Sequence, residues 1–213
     1  MATEVAEFYA TRNELVFKAL YGAVFVADYD VELPEDLFDE VTGELLPLPD
    51  GWYPAGYFSE DGITHGRDQE TSEVLSAQDV EPIREDVTTD STTAQFVMRE
   101  TSPVSIALYE GLRFSDFGEI GEPLRWTKPN NPVRLDRRFL FIAEDKSKAT
   151  GDSKYFVRLF PRGTVSEVGE AVANREEALN WDVTVKAQRD AVAGTSVISW
   201  VDGAGWRELA SGS

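Results

Sequence analysis

Hydrophobicity in this chain repeats every second residue, and that period restricts the fold more than any other feature. In Trp181–Ala187, Trp181, Val183, Val185 and Ala187 alternate with Asp182, Thr184 and Lys186. Ala94, Phe96 and Met98 would likewise share one face of a strand over Thr93–Arg99, with Gln95, Val97 and Arg99 on the other. Lys154–Phe160 divides into Tyr155, Val157 and Leu159 against Phe156, Arg158 and Phe160. Successive side chains on a strand point to opposite faces, so each pattern describes a pleated segment. Phe139–Ala143 reads as a buried strand, joined to Lys154–Phe160 through a hairpin loop at Asp145–Asp152. Leu15–Ala27 is the first apolar segment, and Val24, Phe25 and Val26 favour a strand at its end. No long helical period competes. One short helix is expected, starting at Thr101 or Ser102 before Pro103 and stopping at Gly111. The predicted fold is mainly β, an antiparallel β-sandwich or barrel with that single short α-helix.

Charge divides the chain unevenly. Its first 92 residues carry 22 of the 39 acidic residues against four basic ones, so most of the net charge of −19 lies there. Such a surface opposes nonspecific nucleic-acid binding and points to assembly rather than to an active site. Asp28–Asp50 has three prolines and no basic residue, and reads as a long solvated loop. Residues 63–92 read as a second polar stretch, and residues 161–180 as a polar connection. Arg125–Arg138 is the opposite case, with Arg125, Lys128, Arg134, Arg137 and Arg138 around the turn former at 129–132. Arg134, Arg137 and Arg138 read as subunit salt bridges rather than a phosphate site, since Asp136 interrupts them. One domain over residues 15–207 is expected, with an N-terminal extension at 1–14 and a tail at 208–213. A domain of this size buries roughly 70% of its unfolded surface. Without cysteine, packing or assembly must supply its stability. The acidic start does not resemble a secretory signal, and no apolar run is long enough for a membrane helix.

Catalytic and metal chemistry finds little support in the residues. A zinc site of the usual kind needs several His or Cys, whereas this chain has His65 alone and no cysteine. His65 in GITHGRD reads as a surface-loop residue. The acidic loop lacks the glycine and closing glutamate of an EF-hand. GxGxxG and GxxxxGK[ST] are absent, and the glycines of Asp202–Trp206 read as a turn. Phe139, Phe141, Tyr155 and Phe156 read as core. Trp52, Tyr53 and Tyr57 fit either a small satellite core or an interface anchor. The chain is expected to be no enzyme and to hold no cofactor or metal.

Three ordered segments carry a resemblance. They are GAVFVA (22–27) followed by GYFSEDGITHGRDQETSEV (56–74); TTAQFVMRETSP with IALYEG (92–111); and YFVRLFPRGTVSEVGEAV (155–172) followed by WDVTVKAQRDA. Together they resemble the major tail protein, or tail tube protein, of long-tailed non-contractile bacteriophages, especially those infecting actinobacteria. The resemblance implies a virion structural protein that forms hexameric rings stacked into a hollow tube for DNA delivery. It implies partnership with tail tip, tape measure and tail terminator proteins, passage of DNA without specific binding, and no membrane association. Synthesis in the host cytoplasm and residence in the virion tail follow from it. Family members stack rings through the N-terminal segment and a long loop, which here points to Phe8, Tyr9 and Arg12, and within about residues 63–90 to Arg67, Glu70, Glu73, Arg84, Glu85 and Asp86. Arg134, Arg137 and Arg138 are the matching candidates in the basic region. The further immunoglobulin-like domain that some relatives carry is not expected after Trp206. Two alternatives stay open: a monomeric β-sandwich binding module, for example for carbohydrate, and an inner-tube ring protein of a contractile or secretion system.

Overall fold

Alternation becomes strands, and the strands join in one antiparallel sheet. The computed structural model describes residues 12–116, 120–128, 130–148 and 150–211. In chain order the elements are β1 (Tyr21–Asp28), β2 (Tyr53–Pro54), β3 (Thr64–Val74), β4 (Arg84–Met98), α1 (Pro103–Glu110), β5 (Arg137–Lys146), β6 (Ser153–Val168), β7 (Trp181–Ala187), β8 (Ile198–Asp202) and α2 (Ala204–Ser211). The sheet runs β2-β1-β5-β6-β7-β4-β3. The long β6 is its branch point. One edge of β6 pairs with β5, while the other pairs with β8 over Tyr155–Leu159 and with β7 over Gly163–Val168.

Pro161 lies inside β6, where a residue without an N–H should break a ladder. It sits at a register shift, with Arg137 opposite Gly163 and Phe139 opposite Phe160. A bulge is where a strand tolerates proline. Residues 161–168, expected as part of a polar connection, therefore continue the strand.

The sheet buries one face along β1, β4, β5, β6 and β7, and its other face over β1, β5 and β6. On one face Val24, Val26, Phe96, Met98, Phe139, Phe141, Phe160, Val183 and Val185 pack with Ile106, Ala107 and Leu108 of α1. Helix α1 begins and ends where its sequence predicts. The Ser102 hydroxyl accepts from the Ser105 N–H, the Ser105 hydroxyl accepts from the Ser102 N–H, Pro103 occupies the first turn, and Gly111 closes it at φ 68°.

The opposite face carries a correction. Asp28–Asp50, read above as a solvated loop, packs as a lid over β1, β5 and β6. Leu37, Phe38 and Trp52 are buried with Ala27, Leu140, Val157 and Leu159, and Val31, Leu33, Leu45 and Leu48 pack around them. The Trp52 indole donates to the Glu32 carbonyl at 3.1 Å. Apolar side chains turn inward and most of the carboxylates stay in water, so a strongly acidic segment still closes a core.

Two further segments differ from expectation. Residues 204–211, read as a turn and tail, form the second helix α2. Arg207 holds it through Asp202 at 2.7 Å and through the carbonyls of Glu40 and Asp39 at 2.6 and 3.1 Å. The lead-in before β1 is tied down by a buried ion pair. Lys154 meets Asp145 at 2.9 Å and also donates to the Glu14 carbonyl at 3.2 Å. Burial pushes the Asp145 carboxyl up, but hydrogen bonds from Lys154 and from the Lys18 and Lys146 amides, with the Lys154 charge, hold it below its usual value.

Candidate assembly surface

Residues 63–92 show how a segment without a hydrophobic face can still be a strand. They form most of a long hairpin, β3 with the first part of β4, rather than a loop. Its register runs from Thr64 opposite Gln95 to Val74 opposite Arg84, with a bulge after Glu70. The hydroxyl of Thr88 at the bulge donates to the Glu70 carbonyl at 3.1 Å.

From Arg67 to Val74 on β3, and from Arg84 to Asp90 on β4, every residue is exposed on both faces. At roughly 3.3 Å per residue this arm spans about 23 Å. It ends in an apolar tip, where Val74, Leu75, Val80 and Ile83 are all 47% exposed or more. A two-stranded hairpin without a covering layer is marginal in water, and clustered exposed apolar side chains mark contact sites. Residues 67–91 contain eight acids and two arginines, a net charge of −6 that makes the arm a cation-seeking surface.

The candidate contact residues fall into distinct classes. Arg67 grips Asp90 with Nε at 3.0 Å and Nη2 at 2.7 Å. Arg84 grips Asp86 on its own strand at 2.6 and 2.9 Å. The Glu70 carboxylate accepts from the Thr89 hydroxyl at 3.1 Å. Glu73 lies directly opposite Glu85. Thus all six candidates from the polar stretch lie together on the arm. Arg12 lies elsewhere and donates to the Leu209 carbonyl of α2 at 3.4 Å. Phe8 and Tyr9 lie outside the described residues.

The basic candidates separate completely. Arg134 is exposed, as are Arg125 and Lys128, and the ion pairs among the described residues use none of the three. Arg137 is 2% exposed inside its own chain, which removes it as a surface contact. Its guanidinium lies 4.2 Å from the centre of the Phe114 ring and donates to the carbonyls of Ala107 and Leu112. Burial lowers its pKa to about 10, partly countered by Asp28. Arg138 is half-buried and donates to the Tyr29 carbonyl at 3.0 Å, beside the Tyr29 hydroxyl that donates to Asp190 at 2.7 Å. Adjacent residues on a strand face opposite ways, so Arg137 and Arg138 meet different environments, while Arg134 lies before the strand begins.

His65 also moves from its expected place. It lies on β3, half-buried, with its ring 5.4 Å from Phe141 and 6.4 Å from Phe156, both edge-on. Burial lowers its pKa to about 4, with a smaller push from Arg158. The aromatic trio divides as well: Trp52 is core, while Tyr53 and Tyr57 are 44% and 79% exposed.

Among the described residues, no group of three or more His, Cys, Asp or Glu is placed to hold a metal, and no helix is long and apolar enough to cross a membrane. Residues 9–206 match the family described as phage tail tube protein. No curated protein matches the sequence.

Proposed function

Since this chain belongs to the phage tail tube protein family, we propose that it polymerises as six-membered rings stacked into the hollow, non-contractile tube that delivers DNA. The observation that carries this reading is the β3–β4 arm. It is a hairpin whose residues from Arg67 to Val74 and from Arg84 to Asp90, with its apolar tip, stay exposed in their own chain, the form expected of an element that docks on a neighbour. Among the described residues the sheet also has strands with one partner each: β3 pairs only with β4, β2 only with β1, and β8 only with β6. Symmetric assembly is a way to cover such edges.

Charge supports the same function. Acidic segments repel DNA phosphates, so a lumen lined by them lets the duplex slide, while Arg125, Lys128 and Arg134 offer a neighbouring acidic arm its counter-charge. Tail tip, tape measure and tail terminator proteins are the further partners. The virion tail is its location.

Electron microscopy of the full chain and of a variant with residues 75–83 replaced by a two-residue turn tests the proposal. We expect rings or hollow tubes from the full chain, and folded protomers without tubes from the variant. Tubes of equal length and stability from both proteins would remove the arm's tip from assembly.

A further inference from the structure

Among the shielded arginines, Arg158 is the one that donates no hydrogen bond within the described residues of its own chain, although Arg137 too keeps a buried Nη1 without an acceptor. Arg137, Arg138, Arg162 and Arg207 each donate to a carbonyl or carboxylate of their own chain. Arg158 is half-buried on β6, and its Nε is buried with no hydrogen-bond acceptor. The ion pairs among the described residues do not include it. Its guanidinium lies 5.3 Å from the Phe156 ring centre, a contact with a ring face that accepts no ordinary hydrogen bond. A desolvated donor without an acceptor is costly, and a chain with nearly twice as many acids as bases has no shortage of acceptors.

The surroundings explain what would fit. Arg158 opens into a cavity of about 280 Å³ with Arg67 and the hydroxyl residues Thr92, Ser196 and Ser199. Ser199 is its direct cross-strand partner on β8. Asp90 also borders the cavity, but its oxygens already accept from Arg67 and Gln69. With Asp90 counted, two guanidiniums leave a single net positive charge facing a ring of hydroxyl donors. That is the complement of one oxyanion, since guanidinium donors match the planar spacing of carboxylate or phosphate oxygens.

We propose that Arg158, Arg67, Thr92, Ser196 and Ser199 form a binding site for a single oxyanion, filled in the assembled protein by a carboxylate of a second copy. The site stands on its own geometry; its occupant rests on the tail-tube reading. A side-chain carboxylate suits it better than a nucleic-acid backbone. One charge neutralises the cavity, whereas a polyanion would lie along an arm of net charge −6.

His65 is the chain's single histidine and responds to the charge on Arg158, so its ring resonances report on the cavity. Acetate and inorganic phosphate, titrated separately at constant ionic strength into the full chain, should each shift those resonances with saturation. In Arg158→Gln the apparent affinity should fall at least tenfold. Ser199→Ala should weaken it less, and Arg134→Gln not at all. Equal or unsaturable responses in wild type and Arg158→Gln, or in wild type and Ser199→Ala if the first variant does not fold, would overturn the site.

Sedimentation across protein concentration distinguishes the sources. If a second copy supplies the carboxylate, Arg158→Gln associates at least tenfold more weakly, and acetate competes with wild-type association. Equal association overturns the second copy as source and leaves a site for free anion. Wild-type protein that never associates, alone or in the microscope, counts against the tail-tube reading, while the resonance titration still decides the site.

Discussion

Glu73 and Glu85 face each other across the β3–β4 arm, and the ion pairs among the described residues include neither. Like charges directly opposed on a sheet are unfavourable by about 0.2–1 kcal/mol. Glu85→Gln should therefore protect the arm amides slightly in the isolated protomer, as read by hydrogen exchange. The same change should weaken assembly, because the two opposed carboxylates, outside the ion pairs of the described residues, attract a basic neighbour. Protection and association moving in the same direction would contradict the assignment.

Arg134 and Arg137 should give opposite phenotypes. Arg137→Ala removes a buried cation from Phe114, two carbonyls and nearby Asp28, and is expected to cost about 3 kcal/mol in urea unfolding. Arg134→Ala should leave unfolding within about 0.5 kcal/mol, as an exposed side chain does, and reduce assembly at physiological salt. Unchanged assembly in Arg134→Ala would withdraw its role.

His65 sets an acid limit. Its pKa is about 4 in the folded chain, against an ordinary value of 6.5. Between those values the unfolded chain binds the extra proton, so stability rises with pH through this window and is lost as pH falls from 6.5 towards 4. Allowing for the ring's partial exposure, the loss should reach about 1–2 kcal/mol. Unfolding free energies at pH 7 and 4.5 should differ less in His65→Leu than in wild type by that amount. Asp145 adds a separate loss at lower pH: its lowered carboxyl pKa gives stability that is present above 3.8 and disappears as pH falls through the folded value.

Trp52→Ala tests the lid. Emptying this buried position and leaving the Glu32 carbonyl without its donor should cost about 3–5 kcal/mol in denaturant unfolding. Glu35→Gln on the exposed side of the same segment should cost less than about 0.5 kcal/mol. Similar values for the two variants would show that the lid is dispensable to the core.

Local signals made several elements legible. β7 was readable from Trp181 to Ala187 because one strand face is buried and the other is wetter, which writes alternation directly into adjacent residues. Helix α1 was readable because Ser102, Pro103 and Gly111 each satisfy a requirement of the helix end they occupy. At the level of a phage tail tube protein, the resemblance carried by the ordered segments agrees with the family match over residues 9–206.

Other decisions needed the assembled sheet. The arm reads as a loop in the sequence because neither of its faces is buried, so its residues carry no hydrophobic period; backbone pairing and cross-strand polar contacts such as Arg67 with Asp90 make it a hairpin. The lid reads as a solvated loop in the sequence because Leu37, Phe38, Leu45, Leu48 and Trp52 have no regular spacing and meet only through the face they cover. For Arg134, Arg137, Arg138 and Arg158, sequence specified four cations of identical chemistry. Its place before β5 left Arg134 exposed, whereas pleat, bulge and neighbouring strands buried Arg137 in the core, tied Arg138 to Tyr29 and left Arg158 facing a cavity without an acceptor for its Nε. A side chain's charge is a covalent property, but its desolvation and partners depend on residues brought together from distant parts of the chain.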